Sequence, residues 1–440
     1  MVSVLTKISL NSNDGIINIM IVNYSFENFQ SYKDLCDVDF SVTSKTPLSY
    51  YDYETESGKK VAKVMAVVGP NGSGKSNLLK PLSFVAWFAS SSFGSMAKGE
   101  KIPVIPHRLS EKRSTKIKID FVLPRWNSDE SVDTEFEFRY VLEVVDNLVL
   151  EETLKLKTSR QYSRVFERKY NKFEDTYDVK LNKIYGPEIP SQLLEKAPRN
   201  CSLISYIDNL RENEDSPVCE ESNIAVITLA HNYFYRILSN LTFNGRSHLI
   251  NNMDDAIDFY SSFPKQFEFT KKLFRKYDLG IDDIVLQDSF VVNRDGSKSK
   301  EVLPFCIHNT EDEPFEIPMF MESSGTQSAF CTMAMVCETL ESGGIIVLDE
   351  FDNDFHPELT MAIVNLFKDV DTNPRNAQLL FNTHSVEVLK HLKRQHVYFV
   401  EKYLGNSDAY RGDQIEGLKD RDNLYKKYIS GALGAYPEID

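Results

Sequence analysis

The chain is poor in the features that mark exported, membrane-spanning or metal-stapled proteins. Six cysteines are scattered over some 300 residues, and no two form a CxxC pair. In a large chain that pattern excludes a disulfide framework and reads as reduced, cytosolic thiols. The eight histidines do not cluster with the cysteines, which argues against structural zinc. No apolar run reaches the roughly 18 residues a transmembrane helix needs. The N-terminus lacks the basic, apolar and small-residue regions of a signal peptide, so the expected location is the cytoplasm, with no membrane partner. Positive charge is in deficit too. A net charge of −15 argues against a surface coated for nucleic acid, although local basic clusters occur at 112–118 and 160–172. No internal repeat, low-complexity segment or sustained heptad is present.

What is there is ordinary globular material: 440 residues, 42% hydrophobic and 26% charged. Residues 20–42 alternate as two strands with a turn near Gln30, and 44–60 read as an exposed loop. The run 61–68 is continuously apolar apart from Lys63, as in a buried parallel strand. Strict alternation at 116–123 and two runs around Asp146-Asn147 predict strands and a hairpin. From about 187 to 285 the period turns mostly helical, for example in IAVITLAHNYFYRILSNL. Strand-like segments return at 283–320, and VEVLKHL after Ser385 predicts a helix.

The strongest local pattern is Gly69-Pro70-Asn71-Gly72-Ser73-Gly74-Lys75-Ser76, then Asn77. It fits G-x-x-x-x-G-K-[ST], with a buried strand before it and a helical pattern after it. Glycines let the backbone wrap a phosphate, and the following helix N-terminus adds partial positive charge. Lys75 supplies a point charge for the β- and γ-phosphates, and Ser76 can ligate Mg²⁺. A second apolar run, Ile345–Leu348, ends in Asp349-Glu350. A strand ending in Asp beside a phosphate loop can reach Mg²⁺, and Glu350 can act as general base on a water. A third run, Gln378–Asn382, leads to Thr383-His384-Ser385. That places His384 at a strand's C-terminal edge, where open α/β sheets bind ligands. The small polar stretch MESSGTQSAF (321–330) precedes an apolar helix. On that helix Phe330, Met333, Ala334, Cys337 and Leu340 share a face, so its N-terminus with Ser324 points outward as an anion site.

The order of these pieces resembles ABC-type ATPases, and more narrowly the heads of the SMC/RecF/overcoming-lysogenization-defect group. SFENFQSYKD looks like the N-terminal strand pair of such heads. FVEKYLGN and KKYISGALGAYPEID look like the end of small bacterial members tied to anti-phage defence and abortive infection (RloA/AbiLi-like). The resemblance implies an α/β fold: an ABC-type P-loop ATPase head, with a mixed sheet, flanking helices and an antiparallel β subdomain. It also implies ATP and Mg²⁺ as cofactors and a sandwich dimer in which each phosphate loop faces the partner's signature. Ser324-Gly325-Thr326-Gln327 matches that signature, with Thr326 where transporters have Gly and Ser323 where they have Leu. Ser324, Gly325 and Gln327 are then expected at the nucleotide, His384 as the switch histidine, and Asp352 in the loop crossing the dimer interface. Two departures stand out: Gln30 occupies a place where related heads carry Arg, and no Q-loop glutamine is found near 100–115, where Arg108 lies.

Ser76 and Ser324 are 248 residues apart, which predicts a compact, mostly helical insertion rather than a long arm. The expected organisation is an extension at 1–19, the first part of the head at 20–186, the insertion at 187–285 and the second part of the head at 286–440. The expected function is a nucleotide-gated switch in anti-phage defence that controls a separate effector, a nuclease or toxin. The alternatives are a RecF-like DNA-binding ATPase of repair or replication and a slowly turning nucleotide-bound scaffold. With 56 residues after His384, a built-in nuclease domain is not expected.

Overall fold

The computed structural model describes residues 19–55, 57–126, 132–157, 160–212, 224–242, 245–246, 253–277, 280–292, 298–353 and 355–436. The expected extension up to residue 18, and Cys219, lie outside them.

Continuous apolar runs become the strands of a six-stranded sheet. Its order is Ile237–Ser239, Ile345–Leu348, Gln378–Asn382, Val64–Val68, Val397–Tyr403 and Asn406–Arg411. The first five are parallel and the last is antiparallel. Three of them, Val64–Val68, Ile345–Leu348 and Gln378–Asn382, are buried at every position. Helices or strands must therefore cover both faces. Met65, Val67, Ile345, Val347 and Leu380 face one core. Val64, Ala66, Val68, Ile346, Leu348, Leu379 and Phe381 face another.

The first core holds the helix Lys75–Ser95 through Leu78, Leu82, Val85 and Phe88. A seven-stranded antiparallel sheet closes it from the far side with Ile117, Ile119, Phe121, Phe138, Tyr140 and Leu154. The alternating runs supply this sheet. The predicted hairpin forms between Val132–Val145 and Leu148–Lys157, with Asp146 in the left-handed region at φ 52°. The second core holds the helix Ser324–Ser342, seated by the apolar face predicted for it.

The segment expected as one helical insertion is shared out. Leu203–Glu212 and Ala225–Tyr235 pack into the first core, whereas Met253–Ser262 and Pro264–Tyr277 pack into the second. Between them Ile237–Ser239, expected to continue a helix, pairs in parallel with Ile345–Val347. Sheet pairing overrides the helical period there, because two branched or aliphatic residues fit an edge strand equally well. Two other local expectations also differ. Residues 44–60 contain the strand Asp52–Glu54 and run into the strand Lys60–Ala62, and Asp52 is buried against His396 at 2.8 Å. The turn after Ser385 is a 3₁₀ helix, Val386–Lys390, rather than an α-helix.

Candidate functional site

The strand topology brings the three motifs to one edge. The phosphate-loop strand Val64–Val68 and the acidic-pair strand Ile345–Leu348 are not neighbours, and Gln378–Asn382 lies between them. All three run in parallel, so their C-terminal ends, carrying Gly69, Asp349 and Thr383-His384, open on the same side.

The phosphate loop is closely fitted. A Cβ on Gly74 (φ 114°) would stand 2.4 Å from Ser407 Oγ and 2.9 Å from Ser31 Oγ, and one on Gly69 would stand 2.3 Å from Val400 O. Gly72, at φ 74°, has open space around its Cβ position, which is the freedom a loop wrapping a phosphate needs. No side chain caps the helix Lys75–Ser95 at Gly74, so its first N–H groups are left to an anion. Lys75 turns back and donates from Nζ to Gly69 O (2.9 Å) and Pro70 O (3.1 Å). Burial lowers its pKa, and Glu350, Asp349 and Asp352 pull it back up, in that order. Three carboxylates therefore face this ammonium. Asn71 and Gly72 are exposed, whereas Ser73 is buried with its hydroxyl unpaired.

The acidic pair is clamped from both sides by asparagines that no local pattern marks. On the Ile237–Ser239 side, Asn240 Nδ2 donates to Asp349 O (2.9 Å) and Asn240 Oδ1 accepts from Asp349 N (2.7 Å). On the other side, Asn382 donates to the Asp349 carboxylate and lies 3.4 Å from Ser76 Oγ. The oxygens of Ser76 and Asp349 thus converge on one amide NH₂. A hydroxyl and a carboxylate are the hard donors Mg²⁺ takes, so these residues fit that ion.

Burial pushes the pKa of Asp349 up. Hydrogen bonds from Ser76 and Asn382 oppose this, as does the charge of Lys80, while Glu350 adds to it. A raised folded pKa means the folded chain holds this proton more tightly than the unfolded chain. Stability therefore falls as pH rises through the elevated value, and the cost is fully present above it. Asp349→Asn removes that cost. In the absence of nucleotide it is expected to raise stability at pH 8 by roughly 0.5–2 kcal/mol, the usual gain on relieving a functional site. Thermal unfolding checks this; an unchanged or lower melting temperature contradicts it.

Glu350 sits in the left-handed region at φ 48°, a conformation a non-glycine keeps only when its surroundings hold it. Its N–H donates to Asn382 Oδ1 at 2.5 Å, and Asn353 Nδ2 donates to its Oε2 at 3.0 Å. The ring of His384 is half-exposed, with Nε2 3.3 Å from Glu350 Oε1. Asp352 orders the histidine's turn: its Oδ2 accepts from Thr383 Oγ1 (2.7 Å), Ser385 N (2.9 Å) and His384 N (3.1 Å).

The loop is also tied to the chain's ends. Asn77 Nδ2 donates to Ser31 Oγ (2.9 Å), Ser407 Oγ donates to Ser73 O (2.5 Å), and Tyr32 OH donates to Gly74 O (3.3 Å). Asn77, expected at the nucleotide, spends its amide on this tie. Gln30 accepts from Lys80 Nζ at 3.2 Å. Arg108 is fully exposed and pairs with Glu111.

The Ser323–Gln327 stretch forms an outward-facing helix start. Ser323 is the N-cap, accepting from Thr326 N at 3.2 Å. Ser323 and Ser324 are exposed, as are Phe320 and Met321 just before them. Gln327 differs from the nucleotide-facing role expected of it. It is buried, and its amide donates to Glu322 O (2.8 Å) and Phe320 O (3.2 Å), bracing the turn. Among the described residues, no hydrogen bond joins 323–327 to the phosphate loop of the same chain.

A family model described as "AAA domain, putative AbiEii toxin, Type IV TA system" matches residues 64–390, about three quarters of the chain. No curated protein matches it. Among solved structures, an SMC head bound to the C-terminal winged-helix domain of ScpA is 13% identical. That match covers 89% of this chain and 97% of the other, with a TM-score of 0.40. An SMC head with an extended coiled coil from Pyrococcus furiosus, bound to the C-terminal domain of ScpA, is 12% identical over 89% and 96%, at 0.40. An SMC head with coiled coil and joint from Pyrococcus yayanosii is 11% identical over 94% and 99%, at 0.42. At these scores the likeness carries nothing about what this chain binds. The family match and the sheet topology agree on a P-loop ATPase fold.

Proposed function

We propose, on the premise that the chain belongs to the AbiEii-type AAA-domain family, that it is a nucleotide-gated ATPase of bacterial anti-phage defence controlling a separate effector, a nuclease or a toxin. One observation carries the ATPase reading: Lys75, Ser76, Asp349, Glu350 and His384 come from distant parts of the sequence and meet at one sheet edge. The family's description, which names a toxin of a type IV system, supports a setting of growth arrest.

In this reading residues 69–76 wrap the phosphates of ATP, with Lys75 leaving its own loop carbonyls for the β- and γ-oxygens. Ser76 and Asp349 would hold Mg²⁺, which would shield the phosphate charge. Glu350 takes the proton of the attacking water, and His384, beside it, contacts the γ-phosphate side. Ser324 and Gly325 of a second copy close over the nucleotide, making the active form a dimer.

The basic clusters do not favour nucleic acid. Lys118 lies 3.4 Å from Asp120 and Lys169 lies 3.1 Å from Glu167, while Lys116 and Arg164 pair with Glu143 and Glu167. Arg168 is fully buried, donating to Cys201 O and Pro198 O. Of the four ion pairs, Lys116–Glu143 crosses between two strands and the other three run along a single strand. Each sets a carboxylate beside a cation and so neutralises the charge that nucleic acid would need.

The test is ATP turnover by the purified chain, together with survival of phage-challenged cells carrying it and its neighbouring genes. Lys75→Ala is expected to lower ATP affinity by at least tenfold, as loss of a charged hydrogen bond implies, and to abolish protection. Protection that persists without nucleotide binding contradicts the proposal.

A further inference from the structure

We infer that Asn382 is a positioning residue with two opposed effects: it competes with the metal for Asp349, and it holds the backbone of the general base Glu350. The inference rests on the ATPase reading above and adds a residue to it. Asn382 is the last residue of the strand lying between the phosphate-loop strand and the acidic-pair strand, and it is fully buried. Chemistry fixes which way its amide points. The Glu350 N–H, a donor, lies 2.5 Å from one end, so that end is the carbonyl oxygen. The other end is then the NH₂ group, which faces the Asp349 carboxylate and Ser76 Oγ. One side chain therefore touches both oxygens suited to Mg²⁺ and, at its opposite end, the residue suited to activate water.

The two ends make separable contributions. The NH₂ end occupies a lone pair on Asp349 that a cation would use, so it weakens metal binding. The backbone of Asp349 does not depend on it, because Asn240 holds both the N–H and the carbonyl of Asp349. Removing the amide frees one lone pair of the carboxylate, leaving the bond from Ser76 in place, without releasing its strand. The oxygen end supports Glu350 at φ 48°, and without that acceptor the left-handed turn relaxes and the carboxylate moves. Displacement of a catalytic group by about 1 Å costs up to about 100-fold in rate.

The prediction is a split in direction. In the full-length Asn382→Ala chain, Mn²⁺ titrated in the presence of ADP and followed by electron paramagnetic resonance should bind roughly 3- to 10-fold more tightly. That is the effect of freeing one hydrogen-bonded oxygen. Over the same change kcat for ATP should fall roughly 10- to 100-fold, with KM little altered. Asn382→Ser serves the same comparison if the alanine variant does not fold. A residue that merely filled space would weaken both properties when removed. Weaker or unchanged Mn²⁺ binding, or an undiminished kcat, therefore overturns the inference. If the wild-type chain itself neither binds Mn²⁺–nucleotide nor hydrolyses ATP, the ATPase reading falls and takes this one with it. A working wild type with no split in the variant sinks this inference alone.

Discussion

Glu350→Gln should leave a chain that binds ATP, stops turning it over and stays associated with a second copy. The substitution keeps the size of the side chain, and a glutamine amide can still accept from Asn353 Nδ2 as Glu350 Oε2 does. The backbone N–H bond to Asn382 does not involve the side chain. Glutamine cannot take a proton from water, so the loss falls on the chemical step. Loss of a positioned general base costs about 10²- to 10⁴-fold in rate, or roughly 3–5 kcal/mol in the barrier. ATP affinity is set elsewhere, by the uncapped helix start and Lys75, and should change little. One negative charge acting on Lys75 also disappears, which favours the phosphates. If hydrolysis is what opens the sandwich, the variant accumulates as an ATP-bound dimer. Light scattering with and without Mg²⁺–ATP, paired with a phosphate-release assay, measures both effects. Turnover at the wild-type rate would remove Glu350 from the mechanism. Blocked turnover without a dimer would separate catalysis from assembly.

The parts of this site that local sequence reveals are those whose chemistry needs neighbours in the chain. The phosphate loop is local by construction, since consecutive N–H groups must converge on one anion. The acidic pair and His384 each follow a short apolar run, and that is visible without a structure. Asn240 and Asn382 are different. Asn240 reaches Asp349 across 109 residues, and Asn382 reaches Ser76 across 306. A lone asparagine at the end of an apolar run is read locally as a turn or cap residue, and only the strand order reveals what it touches. The same holds for Ser31 and Ser407, which tie the loop to two hairpins at opposite ends of the chain. Gln327 shows the converse. Its place in a motif says nucleotide, whereas its buried amide bonds the preceding turn. The residues 187–285 make the point at the level of the fold. Their helical period is legible, but period does not say which of two cores a helix joins.

Ser324→Arg tests the part of the reading that a single chain cannot satisfy. The helix Ser324–Ser342 is fixed by Phe330, Met333, Ala334, Cys337 and Leu340 in the second core. Its start cannot swing towards the phosphate loop of its own chain without unseating them. Full burial of even one such side chain is worth about 1.5–3 kcal/mol, so several together hold the helix in place. The exposed start nevertheless has features of an anion site: the Ser323 cap takes up only the Thr326 N–H of the first turn, and the residue at position 324 is small, uncharged and exposed. Exposed Phe320 and Met321 beside it supply apolar area that a partner would cover. An arginine at 324 projects into that contact and blocks close approach, yet it touches nothing in the phosphate loop. ATP binding should stay within about threefold of wild type, because Lys75, Ser76 and the helix start that carry it are unaltered. ATP-dependent dimers should disappear, and hydrolysis should fall by at least about 100-fold, since an incomplete site loses the donors that stabilise the transition state. Mixing Ser324→Arg with Lys75→Ala sharpens the test. A mixed dimer pairs one intact phosphate loop with one intact signature, so partial activity should return. Loss of nucleotide binding in Ser324→Arg alone, or no recovery on mixing, would place this helix start in the folding or function of its own chain instead.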